Sequence, residues 1–150
     1  MMTQASSRRL LGVVLALAFA LVWSVVAATL VAPAASASQV RVSDLVIRSI
    51  TIDPQTKVAT AKGAVTCTGA RRATVSVEVS QTVGRLHTVY AYGEKRIDCD
   101  GRERFSIRLT NYQGRLGPGE ATVRAEAFAF TRFDYDFARF SKVMRVTNAH

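Results

Sequence analysis

Valine stands at positions 75, 77 and 79, and Thr74, Ser76, Glu78 and Ser80 stand between and around them. A period of two puts the valines on one face of a strand and the polar residues on the other; on a helix the valines would scatter around the axis. The same alternation recurs. Phe105, Ile107 and Leu109 alternate with Arg104, Ser106 and Arg108, and Ala61, Gly63, Val65 and Cys67 share a face of 58–68. Turn chemistry separates these runs. Asp53-Pro54-Gln55-Thr56 ends a first strand at 45–52, and Gly69-Ala70-Arg71-Arg72 and Val83-Gly84-Arg85 reverse the chain. A strand at 86–92 follows, then Ile97 and Cys99 before the tight-turn dipeptide Asp100-Gly101. Gly117-Pro118-Gly119 marks a loop before two last strands, 120–131 and 136–146, with 147–150 expected to fray. No helical period interrupts the series after residue 37. The expected architecture is all-β, a two-sheet antiparallel sandwich of seven or eight strands.

The first 37 residues follow a different rule. Arg8 and Arg9 precede an apolar run from Leu10 to Ala32, and Ala35-Ser36-Ala37 supplies small residues. Basic, apolar and then small is the order of a secretory signal peptide, which predicts a signal helix at 1–37, cleavage between Ala37 and Ser38, and one mature domain at 38–150. Ser7-Arg8-Arg9-Leu10-Leu11 also touches the twin-arginine pattern, although so apolar a core suits general secretion better. The alternative is an uncleaved membrane anchor, since roughly 20 apolar residues span a bilayer. Pro33 and the Ala/Ser stretch after it favour cleavage. The domain is therefore expected to be secreted and extracellular, with membrane contact only through the leader if it is retained.

Arg8 and Arg9 belong to the leader, which leaves eighteen basic residues against eleven acidic ones in 38–150, a surplus of seven; fourteen of the eighteen are Arg. A basic domain of this kind favours anionic surfaces such as envelope polymers, acidic polysaccharide or lipid head groups, or is simply kept soluble by its charge. The tightest cluster is Arg102, Arg104 and Arg108. No basic run is interleaved with aromatics in the manner of a nucleic-acid groove, so nucleic acid is not an expected partner. Cys67 and Cys99 are the only cysteines. An even pair in an exported chain is expected to be a disulfide, and neither His87 nor His150 has the spacing to complete a metal site.

Catalytic motifs are absent. The chain has no Gly-x-Ser-x-Gly elbow, no His-Glu-x-x-His and no phosphate-cradling glycine loop. His87 falls in a strand without an obvious partner. Asp98 and Asp100 flank Cys99, but Asp100 fits the turn with Gly101. Asp134 and Asp136 could touch a cation, yet two carboxylates fall short of the six or more oxygens that calcium takes. The expectation is no catalytic residue, no metal, no cofactor and no enzymatic activity.

One segment breaks the pattern. Six of the ten aromatics in 38–150 lie between Phe128 and Phe140. The segment 121–146 reads as a hairpin with Phe133, Asp134, Tyr135 and Asp136 at or near its tip. Val123, Ala125, Ala127 and Ala129 take the core side, which leaves Phe128, Phe130 and Phe137 outside with arginines. Exposed aromatics beside arginine mark binding surfaces. The candidate patch is Phe128, Phe130, Arg132, Phe133, Tyr135, Phe137 and Arg139, with Phe133 and Tyr135 as anchors and Arg132 and Arg139 orienting a polar or anionic partner. Two other outcomes stay open: a β-bulge that turns the rings into the core, or rings that cap the end of the sandwich.

The ordered series Gly63-Ala64-Val65-Thr66-Cys67-Thr68-Gly69, 75–81, Cys99-Asp100-Gly101 and 117–125 resembles a family of small secreted actinobacterial proteins of unknown function. The resemblance covers most of 38–150. It implies an immunoglobulin-like sandwich, export and a Cys67–Cys99 bond, and no activity. Trp23 is the only tryptophan and lies in the leader, so the buried Trp of antibody domains has no counterpart. The function expected is that of an exported, non-catalytic binding module of unknown ligand, acting at the cell envelope or outside the cell, with an anionic envelope polymer or an exported protein as the partner class. The alternative is a protein–protein module, an inhibitor or accessory subunit of another exported protein.

Overall fold

The computed structural model describes residues 39–149. The expected signal segment 1–37, the expected cleavage between Ala37 and Ser38, and His150 lie outside the described residues. Seven strands occupy the rest: β1 Arg41–Ile52, β2 Ala59–Thr68, β3 Arg72–Val83, β4 His87–Asp98, β5 Gly101–Gln113, β6 Gly119–Phe130 and β7 Tyr135–Asn148. Alternation places the valines of β3 inside, fully buried at 75, 77 and 79, and does the same for Phe105, Ile107 and Leu109 on β5. Where turn signals separated short apolar stretches, some strands run on. β1 begins four residues earlier than expected, and β4 is one strand through Ile97.

The strands close into a single barrel in the order β1-β2-β5-β4-β3-β6-β7. This corrects the expected immunoglobulin-like two-sheet sandwich. Two seams make the difference. At one, Ile50, Thr51 and Ile52 of β1 pair in parallel with Val146, Thr147 and Asn148 of β7. At the other, Tyr90, Ala91 and Tyr92 of β4 pair with Gln113, Asn111 and Thr110 of β5. Three pairs at each seam join what would otherwise be separate sheet edges, and beyond those pairs the flanking segments of β7 and β4 keep one ladder partner each. The first seam also corrects the expected fraying at 147–149: Thr147 and Asn148 are in the ladder, and the Ala149 amide donates to the Ile52 carbonyl at 2.8 Å.

The interior explains why closure is available. It is lined mainly by small side chains: Ala59, Ala61, Ala73, Ala91, Ala121, Ala125, Ala127 and Ala129, with valines between them and Phe105 as the buried aromatic. Small inward residues let strands curl tightly around one core. Two glycines mark the closest approaches. Gly63 pairs with Phe105 across β2 and β5, and a Cβ there would collide with the Phe105 ring and the Val46 carbonyl. A Cβ at Gly93 would collide with the Arg108 carbonyl, just beyond Tyr92 where the β4–β5 ladder ends. Glycine in a strand serves such close backbone crossings and barrel corners. In β1, register shifts at Ser43/Val46 and Ile47/Ser49 bend the strand, with Asp44 held at φ 50°.

Cys67, near the end of β2, is bonded to Cys99 between β4 and β5, with Cα atoms 4.7 Å apart. At the other end of the barrel, Gln81 is buried and makes a two-way bond to Gly117. Its Nε2 donates to the Gly117 carbonyl at 2.9 Å, and its Oε1 accepts from the Gly117 amide at 2.8 Å. That pair holds the loop before β6 against β3. All seven strands, the disulfide and a continuous core lie within 39–149, so this part has what a domain needs to fold by itself. Apolar residues fill the inside and charged ones the outside, the reverse of a membrane-spanning barrel. Among the described residues, no helix is long and apolar enough to cross a membrane.

Candidate functional site

The β6–β7 hairpin builds the site. Its pairing runs without a register shift from Gly119–Val146 to Phe130–Tyr135. No bulge turns the aromatic rings inward. Val123, Ala125, Ala127 and Ala129 face the core, so Phe128 and Phe130 face out. A one-residue slip would drive phenylalanines into space shaped for alanine and expose Val123. The rings are accordingly open to solvent: Phe128 is 37% exposed, Phe137 45%, Phe130 64%, Tyr135 67% and Phe133 89%. Phe140 is the exception. It sits opposite the inward Ala125 and packs against the core.

The rings interact with one another and with cations. Phe128 and Phe130 stack with centroids 5.7 Å apart, and Tyr135 lies 6.2 Å from Phe128. Arg132 sits over Phe133 at 5.6 Å and Arg139 over Phe137 at 4.7 Å, both cation–π distances. A short loop presents the tip. The Thr131 amide donates to the Asp134 carbonyl at 2.7 Å, and the Asp134 amide to Thr131 Oγ1 at 3.1 Å. Arg132 and Phe133 project from between those fixed points.

Asp134 and Asp136 have a structural task. Asp134 Oδ2 accepts from the Val40 amide at 2.9 Å, and Asp136 Oδ2 accepts from the Val42 amide at 2.8 Å. The two carboxylates stand in for ladder partners where β1 and β7 are not paired. Asp136 Oδ1 also accepts from the Phe137 amide, and the two backbone donors, that of Val42 first, hold its carboxyl below the usual range. Among the described residues, no group of three His, Cys, Asp or Glu side chains is placed to hold a metal.

The sequence placed Arg132 and Arg139 as the orienting cations. The structure ties Arg139 to Glu126, Nε to Oε2 at 2.7 Å, so its charge is already matched. Farther along the same outer face Arg124 lies 3.9 Å from Glu78, and the Tyr92 hydroxyl donates to Glu94, which raises the phenol's pKa. That middle stretch is internally compensated. The hairpin end is not. Arg71, Arg72 and Arg96 line an open cleft with Thr74, Phe128 and Phe130, and among the described residues none of these arginines has a carboxylate within 4.0 Å. Pairing explains the meeting: Thr74 is flanked by Arg96 on β4 and Phe128 on β6, and Phe128 by Phe137 on β7. Sequence reading missed these three cations, because they are about 30 to 60 residues from the aromatics. The adjacent Arg71-Arg72 pair in a turn was the only local hint.

Other candidates stand apart. Arg102, Arg104 and Arg108 project from β5, three strands away from β6 around the barrel. His87 is exposed at the start of β4, opposite Val83. Asp98 and Asp100 lie at the β4–β5 turn, where Asp98 pairs with Arg72 in the ladder without an ion pair. No protein-family model and no curated protein matches this chain.

Proposed function

We propose that residues 38–150 form an exported, non-catalytic binding module that works at the cell envelope or outside the cell, and that its contact surface is the hairpin end of the barrel. The observation that carries this reading is the outward display of Phe130, Phe133 and Tyr135 beside arginines that, among the described residues, have no carboxylate within 4.0 Å. Large rings cost free energy in water, and a fold that keeps them outside next to cations has the chemistry of an anchor surface. Export is supported by the order of residues in the leader and by the Cys67–Cys99 bond, which suits an oxidising compartment. The resemblance to small secreted actinobacterial proteins points the same way.

Co-sedimentation of the oxidised 38–150 chain with isolated cell envelopes, at low and high salt, tests it. Retention weakened by salt, and weakened further by Phe133→Ser with Tyr135→Ser at unchanged melting temperature, is the expected result. Absence of retention at either salt overturns envelope binding and makes a soluble exported protein the leading partner, since aromatic and arginine anchors also suit protein interfaces.

A further inference from the structure

We propose that the partner of the hairpin end is the bilayer surface itself, a membrane with anionic head groups. This inference rests on the reading of that end as a contact surface and names what it contacts. Three observations carry it.

The first is chemical. Phe130, Phe133 and Tyr135 are amphipathic or apolar rings held outside, and aromatic side chains favour the interface between acyl chains and head groups. Arg71, Arg72, Arg96 and Arg132 lie on the same end, and guanidinium groups fork onto phosphate oxygens. Cations beside interfacial rings are the combination a negatively charged leaflet attracts.

The second is shape. Phe133 is 89% exposed at the tip of a hairpin, with Arg132 against its face. A ring on a projecting tip enters a soft interfacial layer more readily than it encloses a small molecule, because ligand pockets are concave.

The third is chain direction, and it separates a bilayer from a polymer or a protein. The polypeptide reaches the barrel at this end: the Val40 amide is bonded to Asp134 in the hairpin loop. Seven residues, Pro33 to Gln39, lie between Val40 and the apolar run that ends at Ala32. At about 3.3–3.6 Å per residue they reach at most about 25 Å. While that run is in the bilayer, during export or as a retained anchor, the hairpin end is within reach of the head groups. The aromatic and arginine side chains occupy the end of the barrel to which the leader is joined.

The test uses the oxidised 38–150 chain, which contains no tryptophan, carrying Phe133→Trp as a reporter. Vesicles of phosphatidylcholine alone are compared with vesicles that also contain phosphatidylglycerol. Expected are sedimentation with the anionic vesicles, a blue shift of the indole emission and its quenching by lipid-borne quenchers. Arg71→Ser, Arg72→Ser and Arg96→Ser together should weaken partition by roughly a hundredfold. Phe133→Ser with Tyr135→Ser, followed by sedimentation alone, should weaken it about tenfold or more. These side chains are outside the core, and a thermal melt confirms that each variant is folded. Retention on lipid-extracted envelopes without vesicle binding overturns the bilayer and leaves envelope binding standing, with a polymer as partner. Failure on both vesicles and envelopes overturns both readings. Vesicle binding with no blue shift and no loss in the arginine variant overturns this surface. A blue shift without vesicles that grows with protein concentration overturns the bilayer in favour of a second copy of the chain.

Discussion

Single residues set the tolerances of this barrel. Gly63 and Gly93 are interior positions where a methyl group has no room, against the Phe105 ring in one case and the Arg108 backbone in the other. Gly63→Ala and Gly93→Ala should each destabilise the domain by about 1–3 kcal/mol, read from urea denaturation, because backbone must shift to admit the atom. Asp136 sets a pH limit. Its carboxyl titrates below the ordinary value in the folded chain, so its contribution to stability is complete above the ordinary aspartate value of 3.8. It declines as pH falls further and is lost below the depressed folded value. Asp136→Asn retains one acceptor where two amides are served. Faster hydrogen exchange at the Val42 and Phe137 amides in this variant, and a weaker dependence of stability on pH in the acid range, are the expected outcomes. Equal exchange in both proteins would mean that the carboxylate does not secure β1. None of this was legible beforehand: Asp134 and Asp136 looked like tip residues with spare oxygens, and their partners are 94 positions away.

At the scale of elements, the β6–β7 hairpin was the most readable. Alternation on β6, alanines in and Phe128 and Phe130 out, offered one register beside the bulge that stayed open, and the pairing runs through without a slip. The disulfide was legible from the cysteine count, but its position was not. It joins the end of β2 to the connection between β4 and β5, so it staples two neighbours of β5 to each other at the hairpin end. Cys67→Ser with Cys99→Ser should lower stability by roughly 3–4 kcal/mol, as expected for releasing a loop of about 33 residues. Chemical denaturation of the two proteins measures it, and an unchanged midpoint would show that the barrel supplies this constraint without the bond. The long β4 was harder to read because Glu94, Lys95 and Arg96 are all exposed in succession. Beyond Gly93 that strand pairs with β3 and not with β5, so a face that would have been dry becomes wet.

At the scale of the whole molecule, ladder pairing is unequal. β3 is paired with β4 from Arg72 to Val83 and with β6 from Ala73 to Ser80. Between Tyr135 and Arg145, β7 pairs in the ladder with β6 alone, and between Gly93 and Asp98, β4 pairs with β3 alone. Hydrogen exchange should therefore be slowest in β3, with amides on the unpaired edges of those two segments exchanging through local openings. Uniform protection around the barrel would contradict the two narrow seams. The sequence by itself determined most of the strands, their buried faces and the cysteine pair, because each depends on periodicity, turn chemistry or composition within a few residues, and it left open whether the aromatic rings of the hairpin turn outward. Only the tertiary structure decided closure into a barrel, the clasp of Asp134 and Asp136 on β1, and the meeting of Arg71, Arg72 and Arg96 with Phe128 and Phe130. Those depend on which strands lie side by side. Alternation fixes which way a side chain faces, and it is indifferent to the neighbour that the strand acquires.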